Sequence, residues 1–153
     1  MLTISEFLCK KAIIIDLKSN DKKGVITELV ESLAKEKLVK DSAKAITAVL
    51  EREKIGTTGV GQSIAMPHGR TDTVTELIGA LGISKRGIDF ESLDGEHVHI
   101  IFLLLSPPDS GGQHLRALAR ISRLFKDKFL RQALIDTNNT EEVLKIICQE
   151  DFV

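Results

Sequence analysis

Residues 98–105, VHIIFLLL, constrain the fold more than any other segment, because every position except His99 is apolar. A strand with one wet face alternates apolar and polar residues. A nearly continuous apolar run predicts a central strand over 97–105, covered on both faces. Two faces to cover require two layers of helices, and the flanking sequence supplies them. Residues 22–38, KKGVITELVESLAKEKL, place Val25, Ile26, Leu29, Val30, Leu33 and Ala34 at helical spacing. A second helix, capped by Asp41 or Ser42, is expected through about Arg52, with Ala45, Ile46, Val49 and Leu50 on one face and Gly56 breaking the pattern. Beyond the long strand, SPPDSGG at 106–112 reads as a loop. A helix over about 113–126 then presents Leu115, Leu118, Ile121, Leu124 and Phe125 as a stripe. A short helix near 128–136 and a last one from about 141, capped by Asn139 or Thr140, follow. Additional strands are expected around 63–67, 77–83 and, from AIIID, 12–16. With no repeat, linker or low-complexity tract, the reading is one domain over 1–153, a sheet sandwiched between helical layers.

A chain of 153 residues can bury roughly 70% of its unfolded surface in one domain. Its 21 basic and 22 acidic residues are interspersed and give a net charge of −1, which argues against a dedicated nucleic-acid or anionic-membrane surface. Trp and Tyr are absent, which removes the usual stacking platforms for bases or sugars. Cys9 and Cys148 lie near opposite ends without a CxxC, as expected of inert thiols in a reducing cytoplasm. MLTISEFLCKK has no basic segment ahead of an apolar run, and IIFLLL at 100–105 is too short to span a bilayer, so a cytoplasmic location is expected.

Three motifs near residue 60 fail on inspection. Gly56 and Gly61 have the glycine spacing of a P-loop, but Gln62 stands where the phosphate-reaching lysine belongs. A dinucleotide fingerprint from Gly59 fails at Ile64, and Gly61-Gln-Ser63-Ile-Ala65 has alanine in place of the last glycine of a nucleophile elbow. GTTGVGQS is better read as a mobile turn with positive φ. His97-Val-His99 would share a strand face, the geometry of a metal pair, but spacing positions no third ligand. The two read as polar residues at a strand start, and no metal is expected. His114, in the first turn of its helix, is accounted for by capping or partial exposure.

His68, in IAMPHGR (64–70), is different. Pro67 fixes its own φ and pushes Met66 into an extended conformation, so the strand is expected to run straight to the histidine. The adjacent Gly69 is expected to leave room for a partner or an anion. A neutral imidazole is a competent nucleophile near pH 7. If it accepted a phosphoryl group, it would need nearby donors and positive charge. Thr57, Thr58, Ser63 and the amides of the glycine-rich turn, Gly59 among them, are candidate donors, and Arg52 and Arg70 candidate charges.

EREKIGTTGVGQSIAMPHGR resembles the active-site signature of the mannitol/fructose class of enzyme IIA domains, type 2, in the bacterial phosphoenolpyruvate:sugar phosphotransferase system (PTS). This class includes the nitrogen-regulatory IIA proteins. GIDFESLDGEHVHIIFLLLSP and HLRALARISRLFKD match the same family in order and spacing, so the resemblance covers nearly the whole chain. It implies a three-layer α/β/α sandwich with a mixed central sheet. It places the phosphorylated histidine at His68, the active-site arginine at Arg52 and the second active-site histidine at His114. His97 and His99 match no functional position. The implied phosphotransferase activity uses no cofactor. The donor would be the histidine phosphocarrier protein, and the recipient a PTS IIB domain in sugar uptake or regulatory protein targets. Contact with the membrane would be peripheral, through partner transporters. The chain reaches Val153 without a IIB or IIC segment, which leans the expectation toward the regulatory type.

Overall fold

The structure, a computed structural model, describes residues 2–151. In chain order the elements are α1 (Ile4–Phe7), β1 (Leu8–Ile14), α2 (Lys22–Lys35), α3 (Ser42–Ile55), β2 (Gly59–Gly61), β3 (Ile64–Ala65), β4 (His68–Arg70), β5 (Ile78–Ile88), β6 (Val98–Ser106), α4 (Gly112–Leu124), α5 (Lys128–Asp136) and α6 (Thr140–Glu150). The strands form one mixed sheet in the order β1-β5-β6-β3-β2, with β4 also paired to β6. β5 runs antiparallel to β6, while β3 and β4 run parallel to it in succession along the same edge.

β6 occupies the central position its composition requires. Ile101, Leu103 and Leu105 pack with Val25, Ile26, Leu29 and Leu33 of α2 and with Ala45 and Val49 of α3. Ile100, Phe102 and Leu104 point the other way, to a core shared with α1, α4, α5 and α6. Helices thus cover both faces, and the expected three-layer α/β/α sandwich with a mixed sheet is present. The two-residue alternation slips once. The N–H groups of His99 and Ile100 both donate to the Ser63 carbonyl (2.8 and 3.0 Å), a bulge-like pairing that returns Val98 to the α2–α3 face.

Several boundaries differ from the sequence reading. The early strand begins at Leu8 and ends at Ile14, not 12–16, and β5 continues to Ile88 rather than ending at 83. The strand expected over 63–67 is broken. β3 stops at Ala65 and β4 resumes at His68, with Pro67, which has no N–H, in the gap. Its carbonyl still accepts from Leu104 N–H (3.0 Å), so β4 keeps the register of β3 along β6. Among the capping alternatives, Asp41 caps α3 through Lys44 N–H and Asn139 caps α6 through Glu141 and Glu142 N–H. Leu115 departs from its expected stripe and is 64% exposed, whereas Ile121, Leu124 and Phe125 are buried.

Phe102 sits fully buried at mid-sheet, in edge-to-face contact with Phe7 of α1 (6.0 Å between centroids) and Phe125 after α4 (6.4 Å). A Cβ on Gly79 of the facing strand would come within 2.7 Å of the Phe102 ring, so glycine is needed there for the ring to fit. Phe102→Ala is expected to cost about 3–5 kcal/mol of stability through the cavity it leaves, measured as the shift in urea unfolding midpoint at constant m.

Candidate active site

The site forms where β4 meets the start of α4. His68, Gly69 and Arg70 pair with Leu104, Leu105 and Ser106 of β6. Gly69 is buried, and a Cβ on it would lie 3.2–3.3 Å from the backbone of Ala48 and Val49 and from the Val49 side chain. The expectation that this glycine opens access for a partner is therefore corrected. It permits close packing of β4 on α3, the helix that carries Arg52. Alternation then turns His68 and Arg70 to the opposite side, toward α4.

His68 is half-buried, and its Nδ1 lies 2.8 Å from the Met66 carbonyl oxygen. A carbonyl only accepts, so Nδ1 carries the proton and Nε2 keeps its lone pair. Burial lowers the His68 pKa from its ordinary value, and the charges of Arg52 and Arg70 push the same way, against the opposing Met66 carbonyl and Glu53 carboxylate. His114, in the first turn of α4, is buried, and its ring centroid lies 5.3 Å from that of His68 at 62°. Its Nδ1 is 2.5 Å from Ser106 Oγ. Burial first, then the charges of His68 and Arg70, depress His114 to about 4. Arg52 Nη1 donates to the Gly56 carbonyl (2.8 Å) at the end of its own helix. Arg70 donates to Ser110 Oγ (2.8 Å) and the Gly111 carbonyl (3.4 Å), tying β4 to the turn before α4. Two neutral imidazoles thus face each other in the field of two guanidiniums, a setting suited to a nucleophile that receives an anionic group.

The loop residues are arranged differently from the sequence reading. Thr57 Oγ1 donates to the Phe90 carbonyl (2.8 Å) and accepts from Gly59 N–H (3.0 Å). Thr58 is buried, and its hydroxyl and N–H both donate to the carboxylate of buried Glu53, which Lys22 also meets at 3.0 Å. Gly59 lies in β2 against Ser92. Ser63 is a correction: it precedes Ile64, which the register sets four residues, about 13 Å of strand, from His68. It opens instead onto a cavity of about 520 Å³ lined by Gln62, Asp94, Glu96, His97 and His99. The expected positive φ does occur in this segment, at Gly61, Gln62 and Ser63. His99 Nδ1 is held by the Ser84 carbonyl (2.8 Å), and among the described residues no group of three potential ligands could hold a metal ion. No helix among them is long and apolar enough to cross a membrane.

The sequence reading missed Ser106, Glu53 and the Met66 carbonyl. Ser106 carried a signal, as the one polar residue that ends the apolar run, but its histidine partner lies across the SPPDSGG turn.

The model of the family "Phosphoenolpyruvate-dependent sugar phosphotransferase system, EIIA 2" matches residues 6–150. The chain belongs to this family. It is a PTS IIA phosphocarrier, and relatives of both branches of the family resemble it. A nitrogen regulatory protein of Bradyrhizobium diazoefficiens is 37% identical over 147 residues, covering 95% of each chain. A fructose-specific EIIABC component of Bacillus subtilis is 35% identical over 150 residues, which are 98% of this chain but only 24% of that protein. The crystal structure of nitrogen regulatory protein IIA-Ntr from Neisseria meningitidis superposes with a TM-score of 0.87 at 33% identity, covering 94% of this chain and 98% of that one.

The depressed His114 gives a test by pH. The unfolded chain binds this proton near 6.5 and the folded IIA protein near 4, so stability contributed by the neutral ring is present above 6.5 and is lost as pH falls toward 4. Wild type should lose up to about 1.4 kcal/mol per pH unit more than His114→Gln across that window, read from urea unfolding at successive pH values.

Proposed function

We propose that His68 is the phosphorylated nucleophile of this phosphocarrier, with Arg52 and His114 holding the transferred group. The observation that carries this reading is the Nδ1–Met66 hydrogen bond, which leaves Nε2 bare beside His114. In the transfer, the Nε2 lone pair of His68 attacks phosphorus of a phosphohistidine on the histidine phosphocarrier protein. The donor's P–N bond breaks as the new one forms, and its electrons return to the donor imidazole. Nδ1–H remains on the Met66 carbonyl, where it stabilises the phosphorylated ring. Little covalent chemistry is asked of the protein beyond positioning and charge balance. Arg52 can exchange its Gly56 contact for a phosphoryl oxygen, and Arg70 adds charge from the other side. No cofactor enters. The role proposed for Thr57, Thr58 and Gly59 narrows to shaping the loop below Arg52, since their polar groups are already engaged.

We place the chain on the regulatory branch, in the cytoplasm, with phosphorylation of His68 altering how it binds regulatory protein targets. The support is the 37% identity to the Bradyrhizobium diazoefficiens nitrogen regulatory protein and the likeness to the Neisseria meningitidis structure. The 35% identity to a fructose-specific component sustains a second reading, in which a IIB domain takes the phosphoryl group for sugar uptake.

Incubation with labelled phosphoenolpyruvate, enzyme I and the histidine phosphocarrier protein should give an acid-labile, base-stable label. It should be absent from His68→Ala, and equal labelling of that variant would refute the assignment. Arg52→Ala and His114→Ala should fold and transfer more slowly, each by about 10- to 100-fold, as expected for losing one charge-assisted contact. Chase of the label onto a IIB domain of the host would favour sugar uptake over regulation.

A further inference from the structure

Ser106 closes β6 with its side chain fully buried. Its carbonyl accepts from Thr71 N–H (2.9 Å), and its hydroxyl meets a single side-chain partner among the described residues, His114 Nδ1. The His114 ring is neutral above about pH 4, so it has one N–H to place on either nitrogen. With that proton on Nδ1, the ring would donate to Ser106 and the buried hydroxyl proton would be left without an acceptor. An unmet buried donor costs about 1–3 kcal/mol. With the proton on Nε2, Ser106 donates to Nδ1 and every buried group is satisfied. Nε2 is not among the buried polar atoms lacking a partner, so its N–H remains open to a ligand.

We propose that Ser106 is a positioning residue for phosphoryl capture: by donating to Nδ1 of His114 it fixes that ring as a hydrogen-bond donor, Nε2–H, toward the group carried on His68. The role rests on the carrier reading, because it is a phosphoryl group on His68 that would bring this donor an anionic acceptor. The two rings then hold opposite tautomers for opposite purposes. Met66 takes the Nδ1 proton of His68 and leaves a nucleophile, while Ser106 supplies a proton to Nδ1 of His114 and leaves a donor. Both settings are made from the parallel β4–β6 pair: His68 stands opposite Leu104, and Arg70 opposite Ser106.

Ring ¹⁵N shifts of the unphosphorylated protein near pH 7.5 test this directly. In wild type, His114 should show a protonated Nε2 and a bare Nδ1. Ser106→Ala should mix the tautomers and slow phosphoryl transfer about tenfold, the worth of one hydrogen bond. Ser106→Thr, which keeps the hydroxyl, should retain the wild-type tautomer. Because Ser106 acts through His114, the rate losses of Ser106→Ala and His114→Ala should overlap rather than multiply. A protonated Nδ1 in wild-type His114 overturns the proposal even if Ser106→Ala fails to fold, and so does a Ser106→Ala variant with unchanged tautomer and rate. Absence of label on wild-type His68 would instead refute the carrier reading, and the role with it, whatever the ring shifts show.

Discussion

β6 has both edges hydrogen-bonded and both faces buried, so its alternation decides which side chain each neighbouring element can reach. Antiparallel β5 fixes one edge from Ile78 to Ile88, and β3 and β4 share the other. Because β4 is registered on Leu104, Leu105 and Ser106, the C-terminal end of β6 settles three features of the site together. His68 and Arg70 turn toward α4, Gly69 turns toward α3, and Ser106 is left under His114. A slip of one residue would exchange those faces, putting His68 against the α3 backbone and burying it without partners. The site therefore depends on the same register that holds the core.

Interrupting the edge strand at Pro67 adds what an unbroken ladder would not supply. Met66 N–H is still paired, to the Thr58 carbonyl at 3.0 Å, but its own carbonyl lies past the end of β2 and turns to the His68 ring. A proline at this position removes one ladder donor. The remaining contact, Leu104 N–H to the Pro67 carbonyl, is enough to carry the register across the gap. The strand end is thus a device for orienting an imidazole as well as for displaying it.

What could be seen in the sequence follows from how local each signal is. The helices α2 and α3 and the strand β6 announce themselves by apolar spacing, and Asp41 and Asn139 by the chemistry of capping. β2 could not be seen, because Gly59-Val60-Gly61 has no alternation and is a strand only through Ala65 and Ile64. The far end of β5 is not marked by apolar residues, because Lys85 and Arg86 emerge into solvent and the ladder resumes only at Ile88. Chemistry alone singled out His68 and named Arg52 and Arg70 as charges. Family resemblance was required for His114, whose partners, Ser106 across the turn and His68 on another strand, come together only in the fold. Thr58 and Ser63 were misassigned for one reason: a hydroxyl near a histidine in sequence says nothing of the carboxylate or strand end it meets in space.

Charge joins these geometric facts to the proposed chemistry. Among the described residues neither Arg52 nor Arg70 pairs with a carboxylate, since both guanidiniums rest on neutral oxygens, while Glu53 is matched by Lys22. The resting site therefore holds two uncompensated positive charges beside two imidazoles. Burial opposes protonation of both rings, and charge adds to it, from Arg52 and Arg70 at His68 and from Arg70 at His114. A phosphoryl group on His68, as proposed, would bring up to about two negative charges and find two guanidiniums with no carboxylate to displace. In the proposed transfer, the charges that help keep His68 neutral would also hold the phosphoryl group, and no side chain would have to change its protonation for the group to arrive or to leave.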